Sequence, residues 1–246
     1  MYGLIGYPLG HSFSEKYFRN KFAELRIEET YRLFPLKDIS ELPALLESNP
    51  GIRGLNVTIP YKEAVIPYLD RLSADAAEIG AVNCIRIIQD ADGRRVLTGH
   101  NTDWDGFAES LRPHIRPEFT DALVLGSGGA SKAVAYALKA LGISPHIVSR
   151  TRGKGEFVYE DLSRDMLKRC PLVVNTTPLG MSPDIHSAPP LPYHLLNKHN
   201  FCYDLVYNPE LTEFLRRAKS HDAEIKNGLE MLHLQADISW KIWNAP

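Results

Sequence analysis

Asn56, Thr58 and Lys62 lie close together in Gly54-Leu-Asn-Val-Thr-Ile-Pro-Tyr-Lys62, a stretch that can bring an amide, a hydroxyl and an amine to one place. Leu55, Val57 and Ile59 alternate with Asn56 and Thr58, which predicts a strand with one apolar and one polar face. Pro60 ends the ladder, because it has no N–H to donate. Lys62 then stands just past the end of the strand, where a sheet delivers side chains into a cleft. A lysine held against apolar walls loses part of its preference for the charged form and can give and take protons near neutral pH. A lone lysine after an edge strand is ordinarily a surface residue, so its partners decide the matter.

A second chemical signal is Gly126, Ser127, Gly128, Gly129, Ala130 and Ser131, set between the apolar run 122–125 and a helical stretch over 132–141. Strand, glycine turn and helix in that order form the context of a dinucleotide fingerprint, although the third glycine of the strict pattern is missing. Glycines let the backbone approach phosphates, and open amides at the helix start point at negative charge. The next strand, 144–149, ends in Arg150-Thr-Arg152, with Lys154 close behind. An acidic residue there would suit the ribose hydroxyls of NAD. Arginine suits the 2′-phosphate of NADP, so NADP is the expected cofactor.

Composition frames these signals. The 246 residues, 44% hydrophobic with a formal net charge of −2, suffice for two ordinary domains and show no basic stripe for nucleic acid. Cys84, Cys170 and Cys202 are odd in number and widely spaced, so neither a disulfide framework nor a zinc site is indicated, and a reducing cytoplasm is expected. No stretch reaches the apolar length of a membrane span. A small molecule is the expected partner, with no nucleic acid or membrane, and the chain is expected to be a monomer or homodimer.

The positioning elements alternate. Strands are expected at 2–6, 30–35 and up to Pro60, helices at 15–25, 39–46, 64–72 and 74–79, and a hairpin of 83–89 with 94–99. A helix over 102–111 precedes a proline-bearing connection at 113–121, which puts a domain boundary near residue 102. Strands at 172–178 and 201–207 continue the second sheet, and an apolar-faced helix over 231–243 can return to the first domain. The fold class is α/β with two domains. Residues 1–102, completed by C-terminal helices at 228–246, are expected to form the first domain, and 103–227 a Rossmann-like NADP domain. The stretch between Arg150 and Leu172 is short for a full helix and strand, so this domain is expected to be trimmed after its second strand.

Taken together, these motifs make the chain resemble the shikimate dehydrogenase family over nearly its whole length. Gly6-Tyr-Pro-Leu-Gly-His-Ser-Phe-Ser14 is similar to the family's N-terminal motif, and the resemblance implies that Ser12 and Ser14 hold a substrate carboxylate. It implies Lys62 and Asp103, in Gly99-His-Asn-Thr-Asp103, as the catalytic pair, and Asn56, Thr58, Asn83, Tyr207 and Gln235 as substrate contacts. Beyond residues 126–131, it implies that Ser149, Arg150, Thr151, Thr176, Leu205 and Gly228 line the NADP site. The implied reaction is reversible NADP-dependent reduction of 3-dehydroshikimate to shikimate.

There are departures from the family pattern. Glu15-Lys16 replaces a frequent proline, Cys84 a usual threonine, and Ser149 a frequent asparagine. Relatives that use NAD on quinate or shikimate, or that act on aminoshikimate, stay open as alternatives, as does a non-catalytic NADP-binding sensor.

Overall fold

Short apolar runs punctuated by glycine, proline and polar residues form the strands of this chain, and stretches with one apolar side form its helices. A computed structural model describes residues 1–10 and 13–245. In chain order the elements are β1 (Tyr2–Gly6), α1 (Phe13–Leu25), β2 (Tyr31–Pro35), α2 (Leu42–Ser48), β3 (Gly54–Val57), β4 (Arg71–Leu72), α3 (Ala74–Ile79), β5 (Cys84–Gln89) and β6 (Arg95–His100). They continue with α4 (Asp103–Leu111), β7 (Asp121–Leu125), α5 (Gly129–Ala140), β8 (Ser144–Ser149), β9 (Phe157–Val158), α6 (Arg164–Arg169) and β10 (Leu172–Asn175). The last are β11 (Phe201–Asp204), α7 (Glu213–Lys219), β12 (Glu224–Lys226) and α8 (Leu229–Trp243). The chain divides into two compact units, residues 1–102 with 236–246 and residues 103–235.

In the first unit the strand order is β2-β1-β3-β5-β6-β4. β1 runs parallel to β2 and β3, so that Leu4 lies beside Asn56, while β5 returns antiparallel and sets Cys84 opposite Asn56. Every residue of β3 is buried, so the polar face carrying Asn56 is covered as well as the apolar one. One face packs Leu55 and Val57 with Ile5 and Ile85; the other carries Leu4 and Cys84 under Phe18, Phe22, Ala236 and Trp243. α8 comes close to β3 at Gly54, where a Cβ would overlap the Trp243 ring. The helix expected over 64–72 is a single tight turn at Ile66–Tyr68 followed by β4. Pro67 withholds the N–H that a longer helix would need.

The second unit has an all-parallel sheet in the order β12-β11-β10-β7-β8-β9. Numbered within the unit and read from its β9 edge, this is 3-2-1-4-5-6, the doubly wound Rossmann order. Apolar clusters cover both faces, one around Leu123, Val173 and Phe214, the other around Val124, Val174 and Phe201. That pattern suits parallel strands. β12 and α7 complete the far edge and were not anticipated from the sequence.

The shortened segment is present. β8 passes to β9 through residues 150–156 without a helix. Such a short parallel crossover works because β9 pairs only with the last residues of β8, Val148 and Ser149. Polar anchors hold it. Glu156 reaches His146 Nδ1 at 2.8 Å, His146 Nε2 meets Asp121 at 2.7 Å, and the Asp161 carboxylate accepts from Arg152 at 3.2 Å and from the Val158 N–H at 3.0 Å. Among the described residues no helix is long and apolar enough to cross a membrane.

Candidate active site

Within the first unit, buried polar groups form one continuous chain. α1 presents Ser14 and Phe18 one turn apart, and Tyr31, at the start of β2, meets both. Its ring stacks on Phe18 at 4.6 Å, and its hydroxyl is hydrogen-bonded to Ser14 and donates to Asn56 Oδ1 at 2.9 Å. Burial pushes the Tyr31 phenol well above its usual range, with the Ser14 bond acting against the shift, so the group remains a protonated donor. Asn56 Nδ2 donates to Ser239 Oγ at 3.0 Å and to the Asn83 carbonyl at 3.3 Å. Ser239 meets the Thr102 hydroxyl at 3.2 Å. Asn83 takes the Thr102 N–H at 2.6 Å and donates to its hydroxyl at 3.0 Å.

The Lys62 segment is fixed beside this chain. The Thr58 N–H donates to the Ile5 carbonyl at 2.9 Å, and the Tyr61 N–H closes back on Thr58 at 2.9 Å. The Lys62 carbonyl accepts from Val82 N at 2.7 Å, which ties it to the residue before Asn83. The Lys62 side chain is half-buried. Ser14, Asn56, Thr58, Lys62 and Asn83 thus share one unit; Ser12 lies outside the described residues.

In the second unit the glycine turn after β7 is shaped for close backbone approach. Gly126 has φ +114°, and a Cβ there would lie 2.7 Å from Thr176 Oγ1, so a side chain is excluded on both conformation and space. The Ser131 hydroxyl donates to the Gly126 carbonyl at 2.8 Å, and Thr176 donates to the Leu125 carbonyl at 2.7 Å, which holds the turn closed. No side chain caps the start of α5 at Gly128, and Ser127 and Gly128 are exposed. An open helix N-terminus behind a tight glycine turn fits a pyrophosphate. Ser149 ends β8 and accepts from the Thr151 N–H at 3.2 Å, and Arg150 and Thr151 are exposed beyond it. The residues present fit a phosphorylated dinucleotide.

Asp204, at the end of β11, organises the next part of this unit. It is fully buried and accepts from Asn175 Nδ2 at 2.9 Å, from the Val206 N–H at 3.0 Å and from the Thr212 hydroxyl at 2.5 Å. Burial outweighs these bonds and pushes its carboxyl up to about 7. The turn it holds carries Leu205, against whose carbonyl a Cβ on Gly228 would lie at 2.1 Å. Gly228→Ala should therefore lower stability by roughly 1–3 kcal/mol through backbone displacement, measured by thermal melting beside the parent chain. Tyr207 follows half-buried, its phenol raised by burial.

Asp103 opens α4, where an acidic side chain suits the helix start, and it is buried. α4 lies close to the Gln235 turn of α8, since a Cβ on Gly106 would be 3.0 Å from the Gln235 N and the Met231 carbonyl. Gln235 itself donates to the Leu232 carbonyl at 2.9 Å.

Elsewhere, Asp121, His146 and Cys170 bring ligand atoms within 4.8 Å of one another. Burial lowers the His146 pKa, but bonds to Asp121 and Glu156 outweigh it and raise it. Both ring nitrogens are hydrogen-bonded to carboxylates, which holds His146 in an ion cluster with Asp121 and Glu156.

Sequence reasoning missed Tyr31, Thr102 and Ser239 as members of the polar chain, and Asp204 as the group that sets the Leu205 turn. Thr102 carried a signal, standing beside Asp103 in a motif already singled out. Tyr31 and Ser239 carried none, since a tyrosine in a strand and a serine in a helix are ordinary.

The shikimate dehydrogenase substrate binding domain model matches residues 4–85. A shikimate dehydrogenase (NADP(+)) of Desulforamulus reducens is 35% identical over 268 residues, covering 98% of this chain and 88% of that protein. Another, from Clostridium beijerinckii, is 39% identical over 257 residues, covering 98% and 91%. The crystal structure of shikimate 5-dehydrogenase from Thermus thermophilus in complex with NADP(H) and shikimate superposes with a TM-score of 0.86 at 33% identity, covering all of this chain and 93% of that one. With likeness at this level along both units, and with the polar chain and the glycine cradle in place, the chain belongs to the shikimate dehydrogenase family.

Proposed function

We propose that this chain is an NADP-dependent shikimate dehydrogenase, reducing 3-dehydroshikimate to shikimate reversibly on the route to chorismate and the aromatic amino acids. Residues 1–102 with the C-terminal segment 228–246 serve as the substrate domain and 103–227 as the cofactor domain. The observation that carries the reading is the buried polar chain that presets Ser14, Asn56 and Asn83 beside the Lys62 segment. Polar groups fixed before the substrate arrives bind its hydroxyls without reordering and reject analogues that lack them.

When bound, the reduced nicotinamide supplies the hydride to the ketone carbon. Lys62 gives the proton to the ketone oxygen and recovers it in the reverse direction, while Asp103 orients the amine and accepts from a neighbouring ring hydroxyl. Ser12 and Ser14 donate to the substrate carboxylate, and Asn56, Thr58, Asn83, Tyr207 and Gln235 meet the ring and its hydroxyls. The turn 126–131 takes the phosphates, with Ser149, Arg150 and Thr151 at the adenosine end and Thr176, Leu205 and Gly228 towards the nicotinamide. The small-molecule substrate is the partner in this reading, the enzyme works in the cytoplasm, and it is a monomer or a homodimer.

The test is reduced-nicotinamide absorbance with purified protein, shikimate and either NADP or NAD, then with quinate in place of shikimate. Turnover that requires shikimate and prefers NADP is expected. NADP binding with no turnover on any of these substrates would overturn it in favour of a sensor. Arg150→Ala should raise the KM for NADP by roughly tenfold or more and narrow the preference over NAD, with kcat at saturation kept, because it removes a charge-assisted phosphate contact. An unchanged NADP to NAD ratio would remove Arg150 from the phosphate site.

A further inference from the structure

Tyr31 stands between two groups that the reading above assigns to opposite ends of the substrate. Ser14 lies on the carboxylate side and Asn56 on the hydroxyl side, and the Tyr31 hydroxyl bonds to both. The residue is buried, and its ring is clamped by the stack on Phe18, so the oxygen has little room to move. A phenol has one proton and two acceptor positions. That proton goes to Asn56 Oδ1, and the amide nitrogen of Asn56 is engaged by Ser239 and the Asn83 carbonyl. The orientation of the Asn56 amide, and with it the atom offered to a ligand, is therefore set by Tyr31 on one side and Ser239 on the other.

We propose that Tyr31 is a positioning residue that joins Ser14 to Asn56, so that occupation of the carboxylate end tunes the hydroxyl end. A serine that turns its proton to a carboxylate leaves its oxygen as a second acceptor for the Tyr31 proton. Asn56 Oδ1 then shares its donor and can accept from a substrate hydroxyl. No bond breaks in this step; only hydroxyl protons reorient. The inference rests on Ser14 and Asn56 being substrate contacts.

The experiment is steady-state oxidation of shikimate by the full chain and by S14A, Y31F and the double variant, with melting temperatures for each. Y31F keeps the stacked ring and removes only the hydroxyl. It should raise the KM for shikimate roughly tenfold while leaving the KM for NADP and kcat within about twofold. S14A should also raise the KM for shikimate, and the double variant should be no worse than about twofold beyond S14A, since the two act through one bond. A purely structural tyrosine would lower the melting temperature and leave the KM for shikimate where it was, which overturns the proposal, as does a double variant in which the two effects multiply. If S14A itself leaves the KM for shikimate unchanged, the carboxylate assignment fails and the proposal falls with it. Should Y31F not fold, S14A, N56A and their combination in the native Tyr31 background decide the matter, and effects that simply multiply overturn the coupling.

Discussion

Lys62→Ala is expected to lower kcat for shikimate oxidation by roughly 10²- to 10⁴-fold, the range supplied by a positioned acid or base. NADP binding, followed by cofactor titration, should be unchanged. The course of the segment should be kept in the variant, because its backbone is held independently of the side chain: Val82 N on the Lys62 carbonyl, Tyr61 N on Thr58, and Thr58 N on Ile5. The neighbouring Tyr61 anchors the turn further through its hydroxyl on the Leu36 carbonyl at 2.7 Å. Lys62→Arg separates charge from proton transfer, since guanidinium keeps its proton at any working pH. A loss as deep as that of Lys62→Ala supports proton transfer. Near-parent kcat in the Lys62→Arg enzyme would reduce the lysine to an electrostatic contact.

Asp204 carries the largest expected effect on stability. Asp204→Ala strands the Asn175 amide and the Val206 N–H in a buried site, at roughly 1–3 kcal/mol for each donor left unpaired. Urea unfolding with an unchanged m-value would register it. The pH dependence has a definite sign. Burial raises this carboxyl from 3.8 to about 7, so the folded state holds a proton that the unfolded chain has released. The contribution to stability is complete below the unfolded value and is lost as pH rises through the folded one. Between about pH 5.5 and pH 8 the unfolding free energy should fall by roughly 2 kcal/mol on this account. His146, also raised, adds a loss of the same sign above its ordinary 6.5. Asp204→Asn keeps an acceptor for Asn175 and Val206 but does not titrate, so its pH profile should flatten to the balance of His146 and His100, the latter lowered by burial and opposite in sign. An equally steep profile in Asp204→Asn would place the titration elsewhere.

Much of this was legible in the chain. The cradle 126–131 could be found because strand, glycine turn and helix start are neighbours in sequence, and the geometry they need is local. The missing helix after β8 was readable from Gly153 and Gly155, which a helix disfavours. Where the local pattern was a poor guide, the reasons differ. β3 has one apolar and one polar side in sequence, and both lie buried, because α1 and the end of α8 cover the side where Asn56 points. Residues 64–72 pattern as a helix but are broken at Pro67 and recruited into β4. β12 adds to β11 at the sheet edge from a stretch too short to announce itself.

By itself, the sequence determined the α/β class and the glycine turn between β7 and α5, and it offered Ser14, Asn56 and Asn83 as polar candidates. Those depend on residue type and on spacing within a few positions. Only the tertiary structure decided which groups hold them. Tyr31 reaches Asn56 across 25 positions and Ser239 reaches it across 183. Once β3 is buried, every polar atom on it must find a partner, and which ones it finds depends on which distant side chains the sheet and helices bring to the same spot.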